Sequence, residues 1–361
     1  MKIKKEKALL DYIDELNNIN ELNMSLSEMF LSVISNSEVT NEKEMEVLLK
    51  TYKRTSQEIL LDKVINYWGI DLEEEDNKDI FDKYIKNSFK FLKEEDYQNP
   101  YQEGIQIVNT KDGDYELKMD SYSPYEIIPV DDVKLDKDGV EITSLGYFEK
   151  PYRFLTLNYK GVTWMSLNPN EINTMKLDIN RVKGNLLIFG LGLGYFAFMA
   201  SNKEEVKKIT IVEKDPKIIS LFKKHLLPQF KNKDKIHIVQ NDALKYDIGQ
   251  EKYDYLYIDL WHNCLDGSKL YLHYKKLENK YQDTKFLYWL DSGFKALLRR
   301  VFISLLKENT LGYNDSNYQK EENEFDQLIN KLYRNTKNLQ IDSIGDLNRL
   351  LETDNLVKLF L

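Results

Sequence analysis

Gly190, Gly192 and Gly194 stand at alternate positions directly behind the apolar run Leu186-Leu187-Ile188-Phe189, and three acids follow at intervals, Glu213, Asp242 and Asp259. An apolar run feeding such a turn reads as a buried parallel strand that ends at the mouth of a helix. Glycine is needed there because a Cβ would block the sharp turn and hold a ligand off the backbone. A helix opening just behind offers unpaired N–H groups. This is the chemistry of a nucleotide-type cofactor site. Glu213 closes a second apolar strand, Ile209-Thr210-Ile211-Val212, one strand–helix–strand repeat beyond Gly190. A carboxylate at that tip can accept hydrogen bonds from both hydroxyls of a ribose. Asp242, followed by Ala243, comes after a third strand, Ile236-His237-Ile238-Val239, and can accept from an adenine amino group. The dinucleotide fingerprint puts its third glycine five residues after the first. That position is Tyr195 here and the glycine comes one earlier, so the spacing suits a smaller cofactor without a pyrophosphate.

Asp259 ends a fourth strand, Tyr253-Asp254-Tyr255-Leu256-Tyr257-Ile258, and opens the sharpest catalytic candidate, Asp259-Leu260-Trp261-His262. Asp259 or His262 could take a proton from a nucleophile, the imidazole because it titrates near neutrality. Trp261 could wall an acceptor pocket or stack on a planar or cationic substrate. Cys264 has no Pro-Cys context and reads as structural. His225, His237 and His273 are scattered without metal-ligand spacing, so no metal is expected. Arg299 and Arg300 with Lys295 read as a solvated helix face. No Ser-His-Asp elbow, Walker loop or zinc signature is present.

These groups need a scaffold that brings four strand ends to one edge, and an α/β, Rossmann-like parallel sheet does so. Around it the texture changes along the chain. Residues 1–98 are helical in pattern: Leu9, Leu10, Ile13 and Leu16 share one face, and a second helix opens at Asn41 with Glu44 three positions on. It is expected to run on through Leu48, Ile59, Val64 and Tyr67 until the acidic run from Glu73 to Asp76 breaks it. Residues 99–178 form a β-rich module and connecting helix. Its short alternating segments Ile105-Gln106-Ile107-Val108, Tyr115-Glu116-Leu117-Lys118-Met119 and Val140-Glu141-Ile142-Thr143 are parted by Asp-Gly turns. Asn168 then starts a helix carrying Ile172, Met175 and Ile179. Residues 179–307 form the cofactor-binding domain, with a fifth strand from Lys285 to Leu290. Residues 308–361 form a helical C-terminal extension, and the sheet is expected to be truncated after its fifth strand and closed by helices.

On the glycine turn, Val212-Glu213, Asp242-Ala243 and the strand ending in Asp259, residues 186–306 resemble the Rossmann-like S-adenosylmethionine-dependent methyltransferases. With Pro216-Lys217-Ile218-Ile219 and Leu227-Pro228 added, the chain is also similar to the spermidine synthase branch, and its GLGLGYF and IDLWH elements resemble an uncharacterised bacterial group. The resemblance implies S-adenosylmethionine as cofactor. It places Gly190, Gly192 and Gly194 along the methionine moiety, Glu213 on the ribose, Asp242 on the adenine amine and Asp259 facing the sulfonium. Departures stand beside it: Phe189 occupies the place of an acid common before the first glycine. Leu191 and Leu193 sit within the turn, and His262 falls where spermidine synthases carry a second Asp. Three readings stay open: a methyltransferase acting on a small-molecule or protein acceptor, a spermidine synthase-like aminopropyltransferase, and a non-catalytic binding module.

At 361 residues the chain suits two or three domains, and 42% hydrophobic residues can bury a core. The net charge of −9 argues against a bulk phosphate-binding surface, so nucleic acid is not indicated as a partner. One cysteine precludes an intrachain disulfide and fits a reducing compartment. Without a signal-peptide core or an apolar run long enough to span a bilayer, a cytoplasmic protein with no membrane partner is expected. Oligomeric state is left open by the sequence.

Overall fold

The structure is a computed structural model and describes residues 1–106, 109–312 and 323–361. Its centre is a five-stranded, wholly parallel sheet. The strands are β1 (Gly184–Phe189), β2 (Val206–Glu213), β3 (Ile236–Gln240), β4 (Tyr255–Ile258) and β5 (Lys285–Tyr288), in spatial order β3-β2-β1-β4-β5. Leu186, Leu187, Ile188 and Phe189 are all at most 3% exposed. A strand flanked by neighbours and covered on both faces reads as a continuous apolar run for that reason. The chain reverses its direction of travel between β1 and β4, so the crevice at their carboxyl ends is the switch point where such sheets take ligands. No further strand joins β5 among the described residues. Leu290, at φ +59°, turns the chain into the helix Asp291–Thr310.

The fold is thus a Rossmann-like α/β domain, flanked by an N-terminal helical region, β-rich elements and C-terminal helices. The helix Pro169–Arg181 precedes β1. It starts on Asn168, whose Oδ1 accepts the Glu171 N–H at 3.1 Å, and buries Ile172, Met175 and Ile179. Before it, the antiparallel hairpin Tyr152–Tyr159 and Val162–Ser166 turns through Lys160 and Gly161, both left-handed. That hairpin pairs with the strand Tyr115–Tyr122, itself hairpinned at Gly113. Tyr115 joins this small sheet to the end of β2 by donating its hydroxyl to the Asp215 carboxylate. The ends of the chain are also tied, since Lys2–Ile3 pairs in parallel with Gln340–Ile341.

Several local expectations need correction. The second N-terminal helix is two, Glu42–Thr51 and Ser56–Trp68, because Thr55 and Glu58 form a complete capping box that starts a new helix. Gly69, left-handed at φ +65°, ends it; the acids Glu75 and Asp76 instead sit in the first turn of the next helix, where they suit its dipole. Ile105 caps the short helix Pro100–Gly104 rather than starting a strand, and Ile107 and Val108 lie outside the described residues. Arg299 and Arg300 do not form a solvated face. Arg300 pairs with the buried Glu141, and Arg299 is tucked against Gly139, because the hairpin Lys134–Leu135 and Glu141–Ile142 packs on that helix. Among the described residues no helix is long and apolar enough to cross a membrane.

Candidate active site

The three glycines do different work. Gly190, at φ +91°, brings β1 so close to β4 that a Cβ would sit 2.0 Å from the Asp259 carbonyl oxygen. Gly194, at φ +76°, lies against the Phe222 ring, 2.2 Å from a hypothetical Cβ. Gly192 also has positive φ, but a Cβ there meets nothing within 4 Å. The first and third glycines therefore serve packing, and the second opens the backbone onto free space. The turn is held at both ends. Its Leu191 N–H donates to Glu213 Oε2 at 3.1 Å, and the Leu193 carbonyl accepts the Tyr101 hydroxyl at 2.6 Å. Tyr101 is fully buried among Tyr195, Phe198 and Phe230.

Glu213 is buried at the tip of β2, and its other oxygen accepts the Asp215 N–H at 2.8 Å. Each carboxylate oxygen has two acceptor sites, so each keeps one for a ligand. At the end of β3, Asp242 closes a tight turn by accepting the Leu244 N–H at 2.9 Å. At the end of β4, burial and then the nearby Glu213 charge push Asp259 up to about 7. Glu171 is pushed well up as well, by burial and then by Asp259.

All these groups line one cavity of about 820 Å³ at the switch point. It brings together every residue singled out from the sequence: Gly190, Gly192 and Gly194, Glu213, Asp242, Ala243, Asp259, Trp261 and His262. Their surroundings differ. His262 is exposed, while Trp261 is buried with its indole N–H on the Trp289 carbonyl at 3.2 Å and its ring edge-on to Phe294. Trp261 is therefore a fixed wall. Cys264 is half-buried, and burial raises its thiol, which suits a structural rather than a nucleophilic role.

The sequence reading passed over four lining residues. Glu171 falls three positions after Asn168, within the helix start read from the sequence. Only half of that box is made, because the backbone N–H of Glu171 is capped while its carboxylate faces the cavity. Tyr257 looked like a strand residue and is one, stacked on Phe196 at 3.8 Å, yet its buried hydroxyl has no partner. Trp164 comes from the hairpin that roofs the cavity, and Trp289 from the end of β5. Only the alternation of Tyr257 with Asp259 along one strand face signalled any of these in advance.

A parallel sheet in the order β3-β2-β1-β4-β5, a glycine turn after β1 and an acid-lined cavity at the switch point define a Rossmann-like α/β domain. No known family's sequence profile and no curated protein matches the chain. Among solved structures it is similar to spermidine synthase from Thermotoga maritima, at 19% identity and a TM-score of 0.29, over 42% of this chain and 60% of that one. It is likewise similar to a spermidine synthase in complex with the transition state analogue AdoDATO, at 19% identity and a TM-score of 0.31, over 42% and 60% of the two chains. The chain spans three-fifths of the length of each of these neighbours.

Proposed function

We propose that this cavity binds S-adenosylmethionine and that the protein is a transferase moving its methyl group to a separate acceptor. The observation that carries the reading is that the glycine turn and the acids at the ends of β2, β3 and β4 meet in a single cavity. The residues fit the cofactor. Gly192 leaves room where a side chain would stand, Glu213 keeps one acceptor site per oxygen for ribose hydroxyls, and Asp242 and Ala243 line the same cavity and would meet the adenine. When bound, S-adenosylmethionine supplies a methyl group on positively charged sulfur, an electrophile that chiefly needs an aligned nucleophile.

The protein's part is to orient the acceptor, exclude water and receive a proton. Asp259, raised to about 7, is matched to that last task at neutral pH. Trp261, Trp289 and Trp164 supply aromatic walls to the same space. The test is calorimetry with S-adenosylmethionine, its decarboxylated form and NADH. Tightest binding of S-adenosylmethionine is expected. Preference for the decarboxylated form would move the assignment to aminopropyl transfer, and binding of none would leave a non-catalytic module.

A further inference from the structure

The parallel sheet ends at β5 with its outer edge open. The N–H of Lys285 donates to the Asp254 carbonyl and that of Trp289 to the Ile258 carbonyl, both at 3.0 Å, so alternate residues of β5 face β4. Phe286 and Tyr288 therefore turn their N–H and C=O groups outward, and among the described residues nothing pairs with them. A groove of about 600 Å³ lies along that edge, with Arg181, Tyr255, Glu278, Lys285, Phe286 and Leu287 in its walls. Proteins blunt an open edge with a bulge, a proline or an outward lysine. β5 has neither bulge nor proline, and its one lysine turns back over the Tyr255 ring of β4, 5.8 Å from the centroid.

Side chains alternate along β5. Tyr288 donates its hydroxyl to Glu278, on the helix Ser268–Glu278, so Leu287 faces the opposite helix, Pro169–Arg181. On that helix Thr174, Leu177 and Arg181 share a face. Thr174 accepts the Trp289 indole N–H at 2.9 Å and Arg181 lines the groove beside Lys285, which sets Leu177 level with Leu287, midway along the strand. Leu177 is 63% exposed there.

We infer that β5 pairs antiparallel with β5 of a second copy of this chain, about a two-fold axis through Leu287, so that two five-stranded sheets join edge to edge. Phe286 then exchanges two main-chain hydrogen bonds with the partner's Tyr288, and Tyr288 two with the partner's Phe286. Leu287 and Leu177 each meet their own counterpart at the axis, which covers the exposed leucine. One strand can serve both sides of such an interface because its outward residues are spaced evenly about Leu287. Charge favours this edge for self-association. The chain carries −9 overall, yet the groove sets Arg181 and Lys285 against Glu278, so two copies do not meet acid against acid. The contact depends on the sheet stopping at its fifth strand; a sixth strand beside β5 would fill the same place.

Sedimentation equilibrium of the full-length protein, up to about 100 μM, is expected to give a particle of twice the 42.8 kDa chain mass. Leu177→Asp sets two carboxylates together at the axis without touching the core and should raise the dissociation constant about tenfold or more. Leu31→Asp, comparably exposed on the first helix, should leave it unchanged. Phe286→Pro removes an outward N–H and spares every bond to β4, so it should act like Leu177→Asp. Oxidative cross-linking in a Cys264→Ser background reads the register. Facing Cα atoms of a non-hydrogen-bonded antiparallel pair stand about 4.5 Å apart, within disulfide reach. Leu287→Cys should therefore form an intermolecular disulfide and Lys285→Cys should not. A monomer at about 100 μM, a dimer indifferent to Leu177→Asp, or a Leu287→Cys chain that fails to cross-link would overturn the pairing.

Discussion

Asp259→Asn should stabilise the ligand-free protein, and by more at pH 8 than at pH 5. The carboxyl titrates near 3.8 when unperturbed and near 7 in the fold, where burial disfavours its charge. A group raised by folding contributes its stability below the unfolded value, and that contribution is lost as pH climbs through the folded one. With about 1.4 kcal/mol per pH unit, the wild-type penalty is about 2 kcal/mol at pH 5 and about 4 kcal/mol at pH 8. Asparagine carries no charge to desolvate and should recover most of it. At roughly 2.1 cal/mol/K of unfolding entropy per residue, a 361-residue chain that melts as one unit shifts about 1.3 °C per kcal/mol. The variant should therefore melt about 2 °C higher at pH 5 and about 5 °C higher at pH 8, read by scanning calorimetry without ligand. An equal gain at both pH values, or a loss at pH 8, would refute a buried, neutral-range Asp259.

Three further outcomes are expected. A Cβ at Gly192 meets nothing within 4 Å, so Gly192→Val should cost chiefly the left-handed strain of about 2 kcal/mol, seen as a melting point lower by a few degrees, while calorimetry finds S-adenosylmethionine binding abolished. Glu213→Ala removes the acceptor of two backbone N–H groups, so chemical denaturation should show a loss of about 2–4 kcal/mol, and cofactor affinity should fall about tenfold or more. Arg300→Met leaves the buried Glu141 carboxylate without its bidentate partner and should cost about 3–5 kcal/mol in urea melts, whereas replacing both partners with apolar residues should recover most of that loss.

The central strands were legible because they obey a simple rule: β1, the second half of β2 and β4 are buried on both faces, almost wholly apolar, and end at a glycine or an acid. The same rule carried Gly190, Glu213 and Asp259, each the first small or charged residue after such a run, whereas Asp242 stands two residues beyond the edge strand β3. The rest of the cavity had no such signature. Glu171 satisfied a helix-capping pattern with its backbone, which concealed where its carboxylate goes. The long first helix, Lys7–Val33, buries Asn17, Asn20 and Asn23 in line with Leu9, Ile13 and Leu16, so an apolar stripe stops in sequence while burial continues in space. Asn23 explains itself only through a partner 116 residues away, donating to the Gly139 carbonyl while accepting the Glu141 N–H. The split at Thr55 was written in Thr55-x-x-Glu58, but an uninterrupted hydrophobic pattern on either side masked it. Long-range pairing of polar groups leaves no periodic trace in a single chain.

The Tyr101 hydroxyl on the Leu193 carbonyl bears on how the molecule can be cut. A fragment begun just ahead of β1 would keep every strand of the parallel sheet and all three glycines. It would also strip the cover from Tyr195, Phe198 and Phe230 and remove the donor that satisfies the turn. Such a fragment should be sticky and poorly soluble. The parallel-sheet half is thus no interchangeable cassette, and anyone seeking a minimal version for crystallisation or grafting should keep the chain from Pro100 onward.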